Sequence, residues 1–196
     1  MDVNIVPFDA SSNLIIGVKQ AYRDVWGEDA GIHLDNHVTY EGWQGLAGTI
    51  DSEVVRFIWG YQPAPGQWFH DRAKPALPPE TFATWFDGTF ELAELGVVPG
   101  YRGRGIGTAL HDRLFSDVPK ERAVTVTDME NHAAKRLYRE LGWTVIEASV
   151  TFTGSEQVLL GLDLGDGDRR TSGCVRQHES VVHNVRRDAS RVWRKA

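Results

Sequence analysis

The sequence predicts a single α/β domain, a mixed central β-sheet flanked by helices, followed by a basic C-terminal extension. Three observations predict it. Strand-like alternating segments and helix-like amphipathic segments interleave from residue 1 to about residue 165. A glycine-rich loop, Arg102 to Thr108, joins the end of a strand-like segment to the start of a helix-like one. The 196 residues are 41% hydrophobic and 24% charged, enough for one full core and too few for two ordinary domains. The domain is placed at residues 1–165 and the extension at 166–196.

MDVNIVPF reads as an edge strand, and Asp9, Ser11 or Ser12 then caps a helix whose Leu14, Val18, Ala21, Tyr22 and Val25 recur at helical spacing. Residues 28–42 are polar and poorly periodic. GWQGLAGTI and VVRFIWGYQ flank the turn Asp51-Ser52-Glu53 and read as a β-hairpin. Residues 62–88 set Pro63, Pro65, Pro75, Pro78 and Pro79 among Trp68, Phe69, Phe82, Trp85 and Phe86. That is too aromatic for a flexible linker, so an ordered insertion with short helices is expected. Most of its aromatics should pack in a core, with one or two at the rim of a site.

FELAELGVV reads as a strand ended by Pro99-Gly100, and the following helix places Ile106, Ala109, Leu110 and Leu114 on one face. ERAVTVTDM is another strand and NHAAKRLYREL another helix, stopped by Gly142 at C′. WTVIEASVTF and EQVLLGLDL then pair across Gly154-Ser155.

The net charge of −6 is unevenly spread. Residues 169–196 hold eight Arg or Lys against Glu179 and Asp188, which leaves thirteen basic against twenty-five acidic residues, a net −12, in residues 1–168. Such a body repels phosphate backbones and welcomes a cationic partner, so nucleic acid is not an expected ligand. No apolar run reaches the ~18 to 20 residues that span a bilayer, and the first residues lack a signal-peptide pattern, so the expected location is cytoplasmic with no membrane partner. One cysteine, Cys174, excludes an intramolecular disulfide and a thiolate metal site. His33 and His37 would share a face only if their segment were helical, and two imidazoles without a third ligand seldom hold zinc, so no metal is expected. His111 and His132 read as surface histidines, and His70 as a loop histidine on a half-buried lid.

In the loop Arg102-Gly103-Arg104-Gly105-Ile106-Gly107-Thr108, three glycines sit where backbone N–H groups lack helical partners and the helix dipole is positive, an anion cradle. A Walker A loop counted from Gly100 would need Lys where Ile106 stands, and the dinucleotide GxGxxG counted from Gly103 would need Gly where Thr108 stands; both fail. The pattern Arg/Gln-x-x-Gly-x-Gly/Ala does fit, through Arg102, Gly105 and Gly107. A second pattern, Asn-x-x-Ala-x-x-x-Tyr-x-x-x-Gly-aromatic, is filled by Asn131, Ala134, Tyr138, Gly142 and Trp143, the last standing where phenylalanine is usual. With these two motifs in order, residues 89–143 resemble the GNAT superfamily of N-acetyltransferases.

The resemblance implies an acetyl-CoA-dependent N-acetyltransferase, with acetyl-CoA as acyl donor and an amine of a small molecule or peptide as acceptor. It implies that Gly96, Val97 and Val98 face the pantetheine arm, that Arg102, Gly103, Arg104, Gly105, Ile106, Gly107 and Thr108 hold the pyrophosphate, and that Asn131 lies at the cofactor. Asn131 and Tyr138, two turns apart, share a helix face, which suits Tyr138 as the acid that protonates the departing thiolate. The base that deprotonates the amine is sought in Glu91 and Glu94. Three apart in a regular strand, they face opposite ways unless a bulge intervenes, and Glu94, nearer the thioester end, is preferred without excluding Glu91. A backbone N–H near Gly96 to Val98 is the expected oxyanion donor. A non-catalytic CoA-binding sensor is the alternative.

In the extension, Val181, Val185, Ala189 and Val192 recur at helical spacing, with Arg186, Arg187, Arg191, Arg194 and Lys195 toward the end. A helix over 180–194 would dock on acidic surface of the same subunit or of a second copy, so a homodimer is among the expected states.

Overall fold

The computed structural model describes residues 4–27, 31–102, 106–152 and 154–165. The expected helix over 180–194 lies outside the described residues, as do Cys174, Gly103, Arg104 and Gly105. Two compact units emerge, one formed by Met1–Gln62 with Phe90–Val118, the other by Pro63–Thr89 with the chain from Pro119 onward.

In the first unit, strand β1 (Asn4–Pro7) leads to helix α1 (Leu14–Trp26). Of the three expected caps it is the Ser12 hydroxyl that accepts the Leu14 N–H, at 3.2 Å, while Asp9 bonds Ser11. Helix α1 buries Val18, Ala21 and Tyr22 and stops at Gly27, whose φ of 75° lets its N–H reach the Arg23 carbonyl at 2.8 Å. The polar stretch after it, which showed no period, holds a second helix, α2 (Gly31–His37), anchored by the fully buried Leu34.

Strands β2 (Gln44–Ile50) and β3 (Glu53–Tyr61) form the expected hairpin, closed through Asp51 and Ser52 at φ 48° and 70°, the two positive values of a type I′ turn. Strand β4 (Phe90–Val97) pairs with β3, so β1 to β4 run as an antiparallel meander. Phe8, Val18, Tyr22, Leu34, Phe57 and Trp59 form its core. Burial of Val18, Leu34 and Phe57 contributes about 1.5–3 kcal/mol each.

Helix α5 (Ile106–Phe115) follows a 3₁₀ turn at Pro99–Tyr101. His111, expected at the surface, is buried on this helix with Leu110 and Leu114, its ring centroid 4.5 Å from that of Phe115. Burial lowers its pKa, and Asp112, 3.3 Å from Nδ1, partly offsets that.

The second unit opens with helices α3 (Trp68–Ala76) and α4 (Pro79–Phe86), the predicted insertion. Pro79 occupies the first helical turn of α4, where its missing N–H costs nothing. Phe69 and Phe86 enter the core with Val124, Val150, Phe152 and Leu159, while Trp68 stays half-exposed. His70 is a correction as well, because it is buried within α3, Nδ1 2.9 Å from Asp71, edge-on to Phe82. Strands β5 (Arg122–Asp128), β6 (Thr144–Val150) and β7 (Gln157–Asp163) pair antiparallel in the order β5-β7-β6. Gly161 of β7 carries the Trp85 indole, which a Cβ would meet at 2.4 Å. Helix α6 (His132–Glu140) ends before Gly142, at φ 87°. No helix among the described residues is long and apolar enough to cross a membrane.

Candidate active site

Alternation along β4 would send Glu91 and Glu94 to opposite faces, and the pairing with β3 shows why it does not. Trp59 lies opposite Glu94, but Gly60 lies opposite Leu92 and Tyr61 opposite Glu91, which leaves Ala93 as an extra residue, a β-bulge. Trp59 and Tyr61, two apart, share a face of β3, and their cross-strand partners Glu94 and Glu91 therefore share it too. The bulge depends on Gly60, where a Cβ would lie 2.1 Å from the Glu91 carbonyl oxygen.

Helices α1 and α2 supply the polar groups on that face. The Tyr22 hydroxyl of α1 donates to Glu94 Oε1 at 3.3 Å. The Tyr61 hydroxyl donates to Glu91 Oε1 at 3.0 Å and lies 3.3 Å from His37 Nε2, while Trp59 Nε1–H donates to His37 Nδ1 at 3.2 Å. Glu91 is buried, and its Oε2 has no hydrogen-bond partner among the described residues. Burial, helped by the Glu94 charge and opposed by the Tyr61 hydrogen bond, pushes the Glu91 carboxyl up to about 8. Burial first and the neighbouring His33 second push His37 down to about 4. The Tyr61 phenol is raised well above its ordinary value by burial and then by the Glu91 charge. A carboxylate in this state is a base poised near neutral pH.

The segment that the resemblance assigns to acetyl-CoA begins where β4 ends. Val98 N–H bonds the Val55 carbonyl at 2.9 Å, so by alternation the Val97 peptide groups turn away from β3. The Val97 carbonyl accepts from Arg102 Nε at 2.9 Å, which fixes Arg102 at the mouth of the loop. Val98 N–H is thus already engaged. Gly96 is glycine for packing, since a Cβ there would sit 2.2 Å from the Phe57 ring. Gly107 and Thr108 lie in the first turn of α5, where backbone N–H groups lack intrahelical partners.

On the second unit, Asn131 caps α6, its Oδ1 accepting the Ala134 N–H at 3.1 Å, which leaves Nδ2 as the donor it can offer. Tyr138 is buried on the same helix face, its ring 5.4 Å from that of Trp143 in an edge contact. Lys135, buried between them in sequence, meets Met129 Sδ at 3.9 Å. His132 is exposed, 3.7 Å from Glu130. No group of metal-ligating side chains is found among the described residues.

Sequence reasoning passed over Trp59, Tyr61 and His37 as functional groups. The signal for Tyr61 was its place in the hairpin next to the cofactor strand, and for His37 its spacing of four from His33, which becomes informative once α2 is helical.

Residues 18–143 match the model of the Acetyltransferase (GNAT) family. The GCN5-like protein acetyltransferase of Mycobacterium tuberculosis is 35% identical over 148 residues, 60% of this chain and 72% of the relative. The solved structure of the ribosomal-protein-S18-alanine N-acetyltransferase from Escherichia coli superposes with a TM-score of 0.62 at 14% identity, covering 88% of this chain and 100% of that one. That of Arabidopsis thaliana NAA60 in complex with acetyl-CoA gives 0.59 at 18% identity, covering 83% and 98%. At those identities the structural likeness concerns the fold.

Proposed function

The chain belongs to the acetyltransferase (GNAT) family, and from that premise we propose that it moves the acetyl group of acetyl-CoA to a primary amine by direct attack, with Glu91 as the base. The observation that carries the reading is the buried, unpartnered Oε2 of Glu91 on the same face as Glu94. An amine arriving as ammonium must lose a proton before it can attack, and Oε2 is the acceptor for it. The amine nitrogen bonds to the thioester carbonyl carbon, the carbonyl oxygen becomes an oxyanion, and the Val97 N–H, turned away from β3, is the donor to it. As the C–S bond breaks, the Tyr138 hydroxyl gives its proton to the departing thiolate, the surplus proton on the newly bonded nitrogen leaves to solvent, and solvent reprotonates Tyr138. Glu94, held by Tyr22, supplies a negative charge that favours a cationic acceptor.

The arm and pyrophosphate of acetyl-CoA are assigned to Val97, Arg102 and the following loop through Thr108, with Gly96 and Val98 shaping the strand behind them. Asn131 Nδ2 donates to a carbonyl of the arm. Acceptors in the relatives' names include a protein and an alanine of ribosomal protein S18, and a peptide or small-molecule amine is proposed here.

At about 100 times its dissociation constant, acetyl-CoA should stabilise the fold by ~2.7 kcal/mol, read as a rise in melting temperature. Thiol release from acetyl-CoA across a panel of amines and peptides tests transfer itself. Binding without thiol release for any acceptor would favour a CoA-binding sensor. Asn131→Asp keeps the cap and removes the donor, so acetyl-CoA should bind about fivefold more weakly with stability unchanged. Asn131→Ala should also lose about 1 kcal/mol of stability in urea unfolding. Equal affinity in Asn131→Asp and the native protein would take Asn131 out of the cofactor site.

A further inference from the structure

We propose that Trp59, His37 and Tyr61 form a one-way chain of hydrogen-bond donors that fixes Glu91 with Oε1 occupied and Oε2 open, which makes His37 and Trp59 positioning residues for acetyl transfer. The inference rests on the reading of Glu91 as the base.

Its direction follows from one atom. An indole N–H can only donate, so the contact of Trp59 Nε1 with His37 Nδ1 at 3.2 Å makes Nδ1 an acceptor. A neutral imidazole then carries its proton on Nε2, which faces the Tyr61 oxygen at 3.3 Å. With that oxygen accepting from His37, the Tyr61 proton points to Glu91 Oε1 at 3.0 Å. Each link strengthens the next, because a hydroxyl that accepts a hydrogen bond donates a better one.

The same polarity forbids a proton relay. Passing a proton from Glu91 through Tyr61 to His37 would need a bare Nε2, and a doubly protonated ring would turn an N–H against the Trp59 N–H. The chain therefore orients, and the proton taken up on Oε2 leaves from Oε2. The titratable groups facing this chain are His33 on α2, Tyr40 after it, Glu94 on β4 and Tyr22 of α1, which is bonded to Glu94. His37 lies far below its ordinary value and Tyr61 above its own, so neither changes charge while the enzyme works near neutral pH.

The test uses the full chain. Nitrogen NMR of the native protein should find the His37 proton on Nε2 and not on Nδ1 from about pH 6 to 9. His37→Leu removes the donor to Tyr61, weakens the bond to Glu91 and should move the acid limb of kcat/KM up by about one pH unit, with acetyl-CoA affinity unchanged. His37→Gln, which keeps a donor at the Nε2 place, should return the limb toward its native position. A proton on Nδ1, or an unmoved limb in folded His37→Leu, overturns the proposal; if His37→Leu does not fold, the native tautomer decides. The carbon shift of the Glu91 carboxyl reads the same titration without turnover. Full activity in Glu91→Gln would remove the base assignment, whereas equal Glu91 titration in the native protein and His37→Leu would overturn the chain alone.

Discussion

Glu91→Gln should lower kcat by about 10²- to 10⁴-fold and, at the same time, make the protein more stable at neutral pH. The two effects have one cause. Burial lifts the Glu91 carboxyl from 4.5 to about 8, so between those values the folded chain holds a proton that the unfolded chain has released. Stability from this group is complete below pH 4.5 and is lost as the pH rises through about 8. Glutamine has nothing to ionise and escapes that loss. Urea unfolding from acid to mildly alkaline pH should therefore show native and variant proteins equal at the acid end, with the variant pulling ahead as pH rises. Unchanged turnover would deny Glu91 the base role, and a stability difference independent of pH would deny its raised titration.

Tyr138→Phe should cost about 10²- to 10⁴-fold in kcat while leaving acetyl-CoA affinity and stability nearly as they are. The ring stays packed against Trp143, and only the hydroxyl goes. The defect should shrink with acyl donors whose thiol is more acidic, because such a leaving group needs less help from an acid. A defect of the same size with every donor would mean that Tyr138 supports the fold of the site and gives no proton.

Much of this was legible in residue order. Asp51 and Ser52 marked the hairpin because two flanking alternating runs needed a tight turn, and Gly142 marked a helix end because only a left-handed residue closes it cheaply. The helix over Gly31–His37 was not legible, since seven mostly polar residues with Leu34 as the buried anchor give no measurable period. His111 reads as a surface group and His70 as a loop histidine on a half-buried lid because a polar ring says nothing of its neighbours; each is carried inward by a helix face it shares with Leu110 and Leu114, or with Phe69 and Ala73. The facing of Glu91 could not be read from β4 alone. It is set by pairing with another strand, and nothing in FELAELGV announces that one residue goes unpaired.

The extra residue at Ala93 separates the spacing of the two carboxylates along the chain from their spacing on the sheet. Loss of the Ala93 codon would remove one small side chain and the bulge with it, and regular pairing would set Glu91 and Glu94 two apart, still opposite Tyr61 and Trp59 and still on one face. Gene comparisons that look for these carboxylates should therefore accept Glu-x-Glu as well as Glu-x-x-Glu in this strand and open a gap between them.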